Sequence, residues 1–152
     1  MEFLLTNLFG AVLGLIVGLT YNKFETRFTK SSRQRIAKAQ LAKAFRFNLD
    51  RIVQMLDQTS GCPPKEIPNH PFDTHPVMQA MFYGRDLLGT PEDLASYNWH
   101  RYQLDHLNVK LIYILNHPAS RTETVPDFRD HLAGEQTAIT DILSKLEAAK
   151  SQ

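Results

Sequence analysis

The chain has 152 residues, 43% of them apolar and 22% charged, and a formal net charge of +1. This leaves room for one modest core and no low-complexity or repeat architecture. The single cysteine, Cys62, excludes an internal disulfide and a four-cysteine zinc site, in keeping with a reducing compartment. The small net charge hides a split. From Asn22 to Arg51 nine Lys or Arg face Glu25 and Asp50, a balance of +7, whereas from Ile52 to Gln152 eight basic residues face thirteen acidic ones, a balance of −5. Such a division suggests an anionic partner for the first part.

Residues 1–21 open with an apolar run, Phe3 to Tyr21 (FLLTNLFGAVLGLIVGLTY). As a helix it would span about 28 Å, close to the ~30 Å hydrocarbon core of a bilayer. Only Met1 and Glu2 precede it and the basic residues all follow it, which disfavours a cleaved signal. The expectation is one transmembrane helix in a bacterial inner membrane, crossing once, with the N-terminus outside and the rest in the cytoplasm. Gly10, Gly14 and Gly18, a glycine zipper at intervals of four, predict close helix approach and a homo-oligomer.

Residues 22–58 form a basic flank and a first bundle helix, marked by Ile36, Ala37, Leu41, Phe45, Leu49, Ile52 and Leu56 at spacings of three and four. Lys23, Arg27, Lys30, Arg33, Arg35, Lys38, Lys43 and Arg46 are the candidate anion-binding residues. Interleaved with Phe24, Phe28, Phe45 and Phe47, they suit single-stranded nucleic acid, the cations tracking phosphates and the rings stacking bases. The plainer reading pairs them with anionic lipid headgroups that set topology. At 100° per residue, Lys23, Arg27, Lys30 and Lys38 fall on the face of Leu41, Phe45, Ile52 and Leu56, which predicts a basic groove above the core.

Residues 59–75 hold four prolines and read as a loop. Residues 76–152 supply the other helices. A short one runs from Pro76 to about Leu88, with Thr74 or His75 as cap, Val77, Met81, Leu87 and Leu88 inward, and Gly89 as its stop. Thr90-Pro91-Glu92-Asp93 then starts a helix that runs to about Asn116, with Leu94, Tyr97, Leu104, Leu107, Leu111 and Leu115 inward. A last helix opens near Pro126 and buries Phe128, Leu132, Ile139, Ile142 and Leu146. The fold class expected is all-α, an N-terminal transmembrane helix followed by a small cytoplasmic bundle.

Catalytic chemistry finds no motif. HExxH, Walker, GxGxxG and GxSxG patterns are missing, so no catalytic, cofactor or metal residues are assigned and an enzyme is not expected. His100 and His106 are six apart, on different helix faces; Asp105-His106 and Asp130-His131 read as surface polar pairs. Tyr97, Trp99, Arg101 and Tyr102 (SYNWHRYQ) form a second aromatic-basic cluster.

The segments LAKAFRFNLDRIVQML and PVMQAMFYGRDLLGTPEDLASYNWHRYQLDHLN, separated by the proline-rich loop, look like a diffuse group of bacterial proteins in which a membrane helix precedes a helical domain. With the glycine-bearing span and basic flank, the layout resembles the membrane effectors of bacterial anti-phage systems, the Hailong-type effector among them. That resemblance implies an oligomeric channel held shut by bound single-stranded DNA, and an antiviral role. The function expected is therefore an oligomeric ion channel or effector gated by an anionic ligand. The alternative is a non-conducting membrane anchor or scaffold whose bundle binds a protein partner. The partners expected are other copies of the chain, the lipid bilayer, and either single-stranded nucleic acid or anionic lipid.

Overall fold

The structure, a computed structural model, describes residues 2–61 and 67–148, and within residues 2–28 it describes the helical backbone alone. Four α-helices make up the fold among these residues: α1 (Glu2–Gln58), α2 (His75–Gly84), α3 (Pro91–Asn116) and α4 (Arg121–Ala148), with a single 3₁₀ turn at Pro118–Ser120 between the last two. The all-α class is as expected. The transmembrane helix is not: among the described residues no helix is long and apolar enough to cross a membrane. The run Phe3–Tyr21 has no end of its own but opens a helix of 57 residues. From Lys23 onward that helix carries a charge every one to six positions, so no described stretch of it stays apolar long enough. For its glycines Gly10, Gly14 and Gly18 the structure gives the helical backbone alone, so the predicted helix contact lies outside what is described, as do the side chains of Lys23 and Arg27.

With no proline between Leu4 and Gln58 and no glycine after Gly18, nothing breaks α1, which is about 85 Å long. The bundle occupies its C-terminal part. Ala37, Leu41, Ala42, Ala44, Phe45, Ile52 and Met55 are buried, and Leu49 and Leu56 pack against them. Ile36, expected inside, is 55% exposed, because it points away from the buried stripe at the edge of the bundle.

α1 packs against α2 and α4, and α3 packs against the same two, so α1 and α3 occupy opposite corners. Phe45 and Tyr97 meet across the centre, their ring centroids 6.3 Å apart. α2 runs antiparallel to α1, with Gly84 against Ala37 and Asp73 against Asn48. A Cβ on Gly84 would lie 3.1 Å from that of Ala37, so glycine sets how closely the two helices approach. α2 ends at Gly84, four residues before the expected Leu88, and Leu87 N–H closes a turn onto Gly84 C=O at 2.8 Å.

α2 is short, and the segment before it covers the remainder of its side of the core. Asn48 on α1 donates to Asp73 C=O (2.9 Å) and accepts from Asp73 N–H (3.0 Å). Asn108 on α3 does the same for Phe72 (3.0 and 2.7 Å). Two amides thus supply the partners that a neighbouring strand would supply, and the Phe72 side chain is buried in the core.

α3 starts where its sequence predicts. Thr90 Oγ1 accepts from Asp93 N–H at 3.2 Å while Asp93 Oδ2 accepts from Thr90 N–H at 2.9 Å, a reciprocal capping box with Pro91 in the first turn. α4 begins at Arg121, five residues before Pro126, which lies inside it. The earlier start is held by the Arg121 guanidinium, which donates to Ile114 C=O (3.1 Å) and Leu115 C=O (3.3 Å) at the end of α3. All five apolar residues expected to face inward from α4 are buried.

Candidate anion-binding surface

Six of the eight candidate cations have described side chains. Lys30, Arg33 and Arg35 are exposed and lie ahead of the buried part of α1; Lys38 is half-buried and Lys43 exposed. Among the described residues none of these five pairs with a carboxylate, whereas Arg46 is bound to Glu147 of α4. Two cations of the bundle are paired as Arg46 is, Arg101 with Asp105 at 2.8 Å and Lys110 with Asp127 at 2.7 Å, while Arg51 lies over the Phe47 ring and Arg121 is held by backbone carbonyls. What sets the stretch of α1 before Arg46 apart is density: the five cations stand within the fourteen residues 30–43, which contain no acidic residue.

The five do not line one groove. At 100° per residue Lys30 and Lys38 fall near the side of Leu41 and Phe45, while Arg33, Arg35 and Lys43 turn to other sides. The surface they form is a positively charged rod, and a flexible polyanion can wrap such a surface. The aromatic part of the expected site is likewise divided. Phe45 is buried; Phe47 is exposed and lies beneath the Arg51 guanidinium, 5.1 Å from its ring centroid. Arg51 was not among the residues singled out from sequence, although its four-residue spacing from Phe47 is the signal that would have found it. The SYNWHRYQ cluster does not assemble. Tyr97 faces the core, Arg101 is held by Asp105 and Asn98, and Trp99 and Tyr102 pack on each other outside, at 6.0 Å.

Beside the rod, α1 and α2 enclose a groove of about 500 Å³. Its α1 side is Gln40, Lys43, Ala44 and Phe47, its α2 side Pro76, Gln79, Ala80 and Tyr83, and Asp73 closes one end. Both sets repeat at three and four residues, the mark of two helix faces turned toward a shared trough.

A polar ladder along the α3–α4 seam is the feature that sequence reading passed over. His100 Nδ1–H donates to buried Glu135 at 3.0 Å, His131 Nε2–H donates to Gln103 Oε1 at 2.8 Å, and Lys110 reaches Asp127. His106 packs on His131 with ring centroids 5.7 Å apart. Asp127, His131 and Glu135 are four apart on α4, so each meets a successive turn of α3. Asp105 and His131, read as surface groups, are both partly buried; Asp105 accepts from Thr74 Oγ1 at 2.6 Å. Burial first, then the Lys110 charge, holds His131 below the usual histidine range, so it is neutral at pH 7. Among the described residues no three His, Cys, Asp or Glu side chains converge as a metal site.

No family model matches the chain, and neither a curated protein nor a solved structure is similar to it.

Proposed function

We propose that this protein is a polyanion-binding helical module, in which the basic stretch of α1 takes up a flexible phosphate-bearing chain and the bundle holds that stretch out into solvent. The observation that carries this reading is the run of five cations in residues 30–43 of α1 with no acidic residue among them. Among the described residues Lys30, Arg33, Arg35, Lys38 and Lys43 have no carboxylate partner, whereas Arg46, which follows them on α1, is bound to Glu147. Unpaired cations at this density release counterions when they meet phosphates, which favours binding without regard to base sequence. The conducting pore expected from the sequence depended on a membrane-crossing helix; with that helix corrected, only the ligand half of the expectation is retained.

Single-stranded DNA is the probe, and vesicles rich in an anionic lipid are the second arm. Fluorescence anisotropy with a labelled oligonucleotide should show affinity falling with salt, with a log–log slope of about −3.5 if all five cations engage. Lys30→Glu with Arg35→Glu should weaken binding by at least about tenfold and flatten the slope by about 1.4. Binding that ignores both salt and the double reversal overturns the reading. Vesicle binding with no oligonucleotide binding would assign the rod to lipid headgroups.

A further inference from the structure

The α1–α2 groove opens beside the cations of α1, and Lys43 belongs to both: it is the last of the five in residues 30–43, and it lines the groove. Because α2 runs antiparallel to α1, with Gly84 against Ala37 and Asp73 against Asn48, Phe47 and Asp73 stand at one end and Tyr83 at the other, with Lys43 between. The two rings are open to solvent, at 46% and 78% exposure. Each touches a residue that does not line the groove: the Arg51 guanidinium lies 5.1 Å from the Phe47 centroid, and the Phe82 ring meets Tyr83 edge to face at 5.4 Å. The Gln40 and Gln79 amides line the stretch between and have no partner among the described residues. Among the same residues the Asp73 carboxylate accepts only the His75 N–H, at 3.2 Å.

A polyanion that follows the basic stretch as far as Lys43 arrives at this groove, and the lining discriminates between kinds of polyanion. An inorganic polyphosphate or a sulfated glycan has no flat face for Phe47 and Tyr83, and Asp73 repels it. A lipid acyl chain would set hydrocarbon against Gln40, Gln79 and Asp73 and leave their hydrogen bonds unmade. A nucleobase uses every one of these groups. Its face stacks on a ring, its edge meets the amides, an exocyclic amino group donates to the carboxylate, and the phosphate beside it reaches Lys43. In a duplex those faces are already stacked on neighbouring bases, so the strand has to be single.

We propose that the α1–α2 groove is a base pocket for a single-stranded nucleic acid held by α1, in which Phe47 and Tyr83 stack bases and Asp73 accepts from an exocyclic amino group. This rests on the polyanion reading and adds a preference to it: cytosine offers Asp73 a donor where thymine presents a carbonyl oxygen.

Fluorescence anisotropy of the full chain with labelled strands of one length provides the test, using oligodeoxycytidine, oligodeoxythymidine and an abasic deoxyribose-phosphate strand. The cytidine strand should bind most tightly. Phe47→Ala and Tyr83→Ala, both at exposed positions, should each weaken it at least about fivefold with the far-UV circular dichroism unchanged, and should move the abasic strand less. Asp73→Asn keeps an acceptor for His75 N–H and offers an amide N–H to thymine, so it should bring the cytidine and thymidine affinities together. Equal affinity for the cytidine and abasic strands, with the salt slope intact, overturns the base pocket and leaves the polyanion reading standing. Failure to bind any strand is failure of the nucleic-acid reading of α1 itself and takes the pocket with it. Aromatic variants that bind the cytidine strand like the wild type, or a cytidine-to-thymidine ratio that Asp73→Asn does not change, also overturn the proposal.

Discussion

Asn48 and Asn108 show how much of this fold hangs on single side chains. Each gives one donor and one acceptor to the backbone of the Phe72–Asp73 segment, and Asn48 is fully buried. Asn48→Ala removes both of its bonds to Asp73 at once, and orphaned polar groups cost about 1–3 kcal/mol. A loss of about 2–3 kcal/mol in urea unfolding is expected, against less than about 0.5 kcal/mol for a change at exposed Gln54. Nothing in the sequence marks either asparagine for this duty, since the segment it holds is 24 or more residues away along the chain.

His131 gives a second prediction at this scale. Its folded value is depressed by burial and by Lys110, against an ordinary value of 6.5. The unfolded chain therefore takes up the proton first as pH falls. The stability associated with neutral His131 is whole above about pH 6.5 and is lost progressively as pH drops through the folded value below it. His131→Gln keeps a donor for Gln103 and carries no titrating group. Its stability should therefore fall less steeply than the wild type's just below pH 6.5, as read from urea midpoints at successive pH values. Parallel curves would remove His131 from the acid response.

Among the elements, α3 was legible at both ends, its start at Thr90-Pro91 and its stop at Asn116 before His117-Pro118. Thr90, Pro91 and Asp93 are local signals, and the cap they predict is the cap that forms, so Thr90→Ala should cost about 1 kcal/mol by thermal or chemical unfolding. Gly89, at φ 142°, precedes it in a conformation that side chains disfavour, and an added Cβ would meet Asp93 Oδ2. The end of α2 has no such local signal. Gly84 lies in it because Ala37 is close by on α1, and Gly84→Ala should push the helices apart at a cost of about 1–3 kcal/mol in unfolding free energy. The start of α4 was misplaced for a related reason. Proline reads as a first-turn residue, but here the carbonyls at the end of α3 are taken by Arg121, and that contact sets the boundary earlier.

For the whole molecule, the central division is between the part of α1 that the bundle covers and the part that it does not. Hydrogen exchange should be slow over Leu41–Met55, whose amides open only with the core. It should be much faster from Lys30 to Arg35, where the helix has exposed neighbours on nearly every side. Equal protection in both stretches would contradict the division.

The three- and four-residue spacing of apolar residues was enough, without any fold, to specify an all-helical chain and most of its core, because burial of a stripe is a local property of a helix. The cations of α1 were legible in the same way as residues. Which of them stay free was not, because Glu147 lies 101 positions from the Arg46 it neutralises. The apolar run at the start suggested a transmembrane helix, and among the described residues no helix is long and apolar enough to be one. The fold instead joins it to α1 without a break, since ending a helix requires a residue or contact that breaks it, and this stretch has none. The groove, the polar ladder and the asparagine pair exist only once α2, α3 and α4 are packed. Each is made of groups that become neighbours through the tertiary fold, and no spacing along the chain records them.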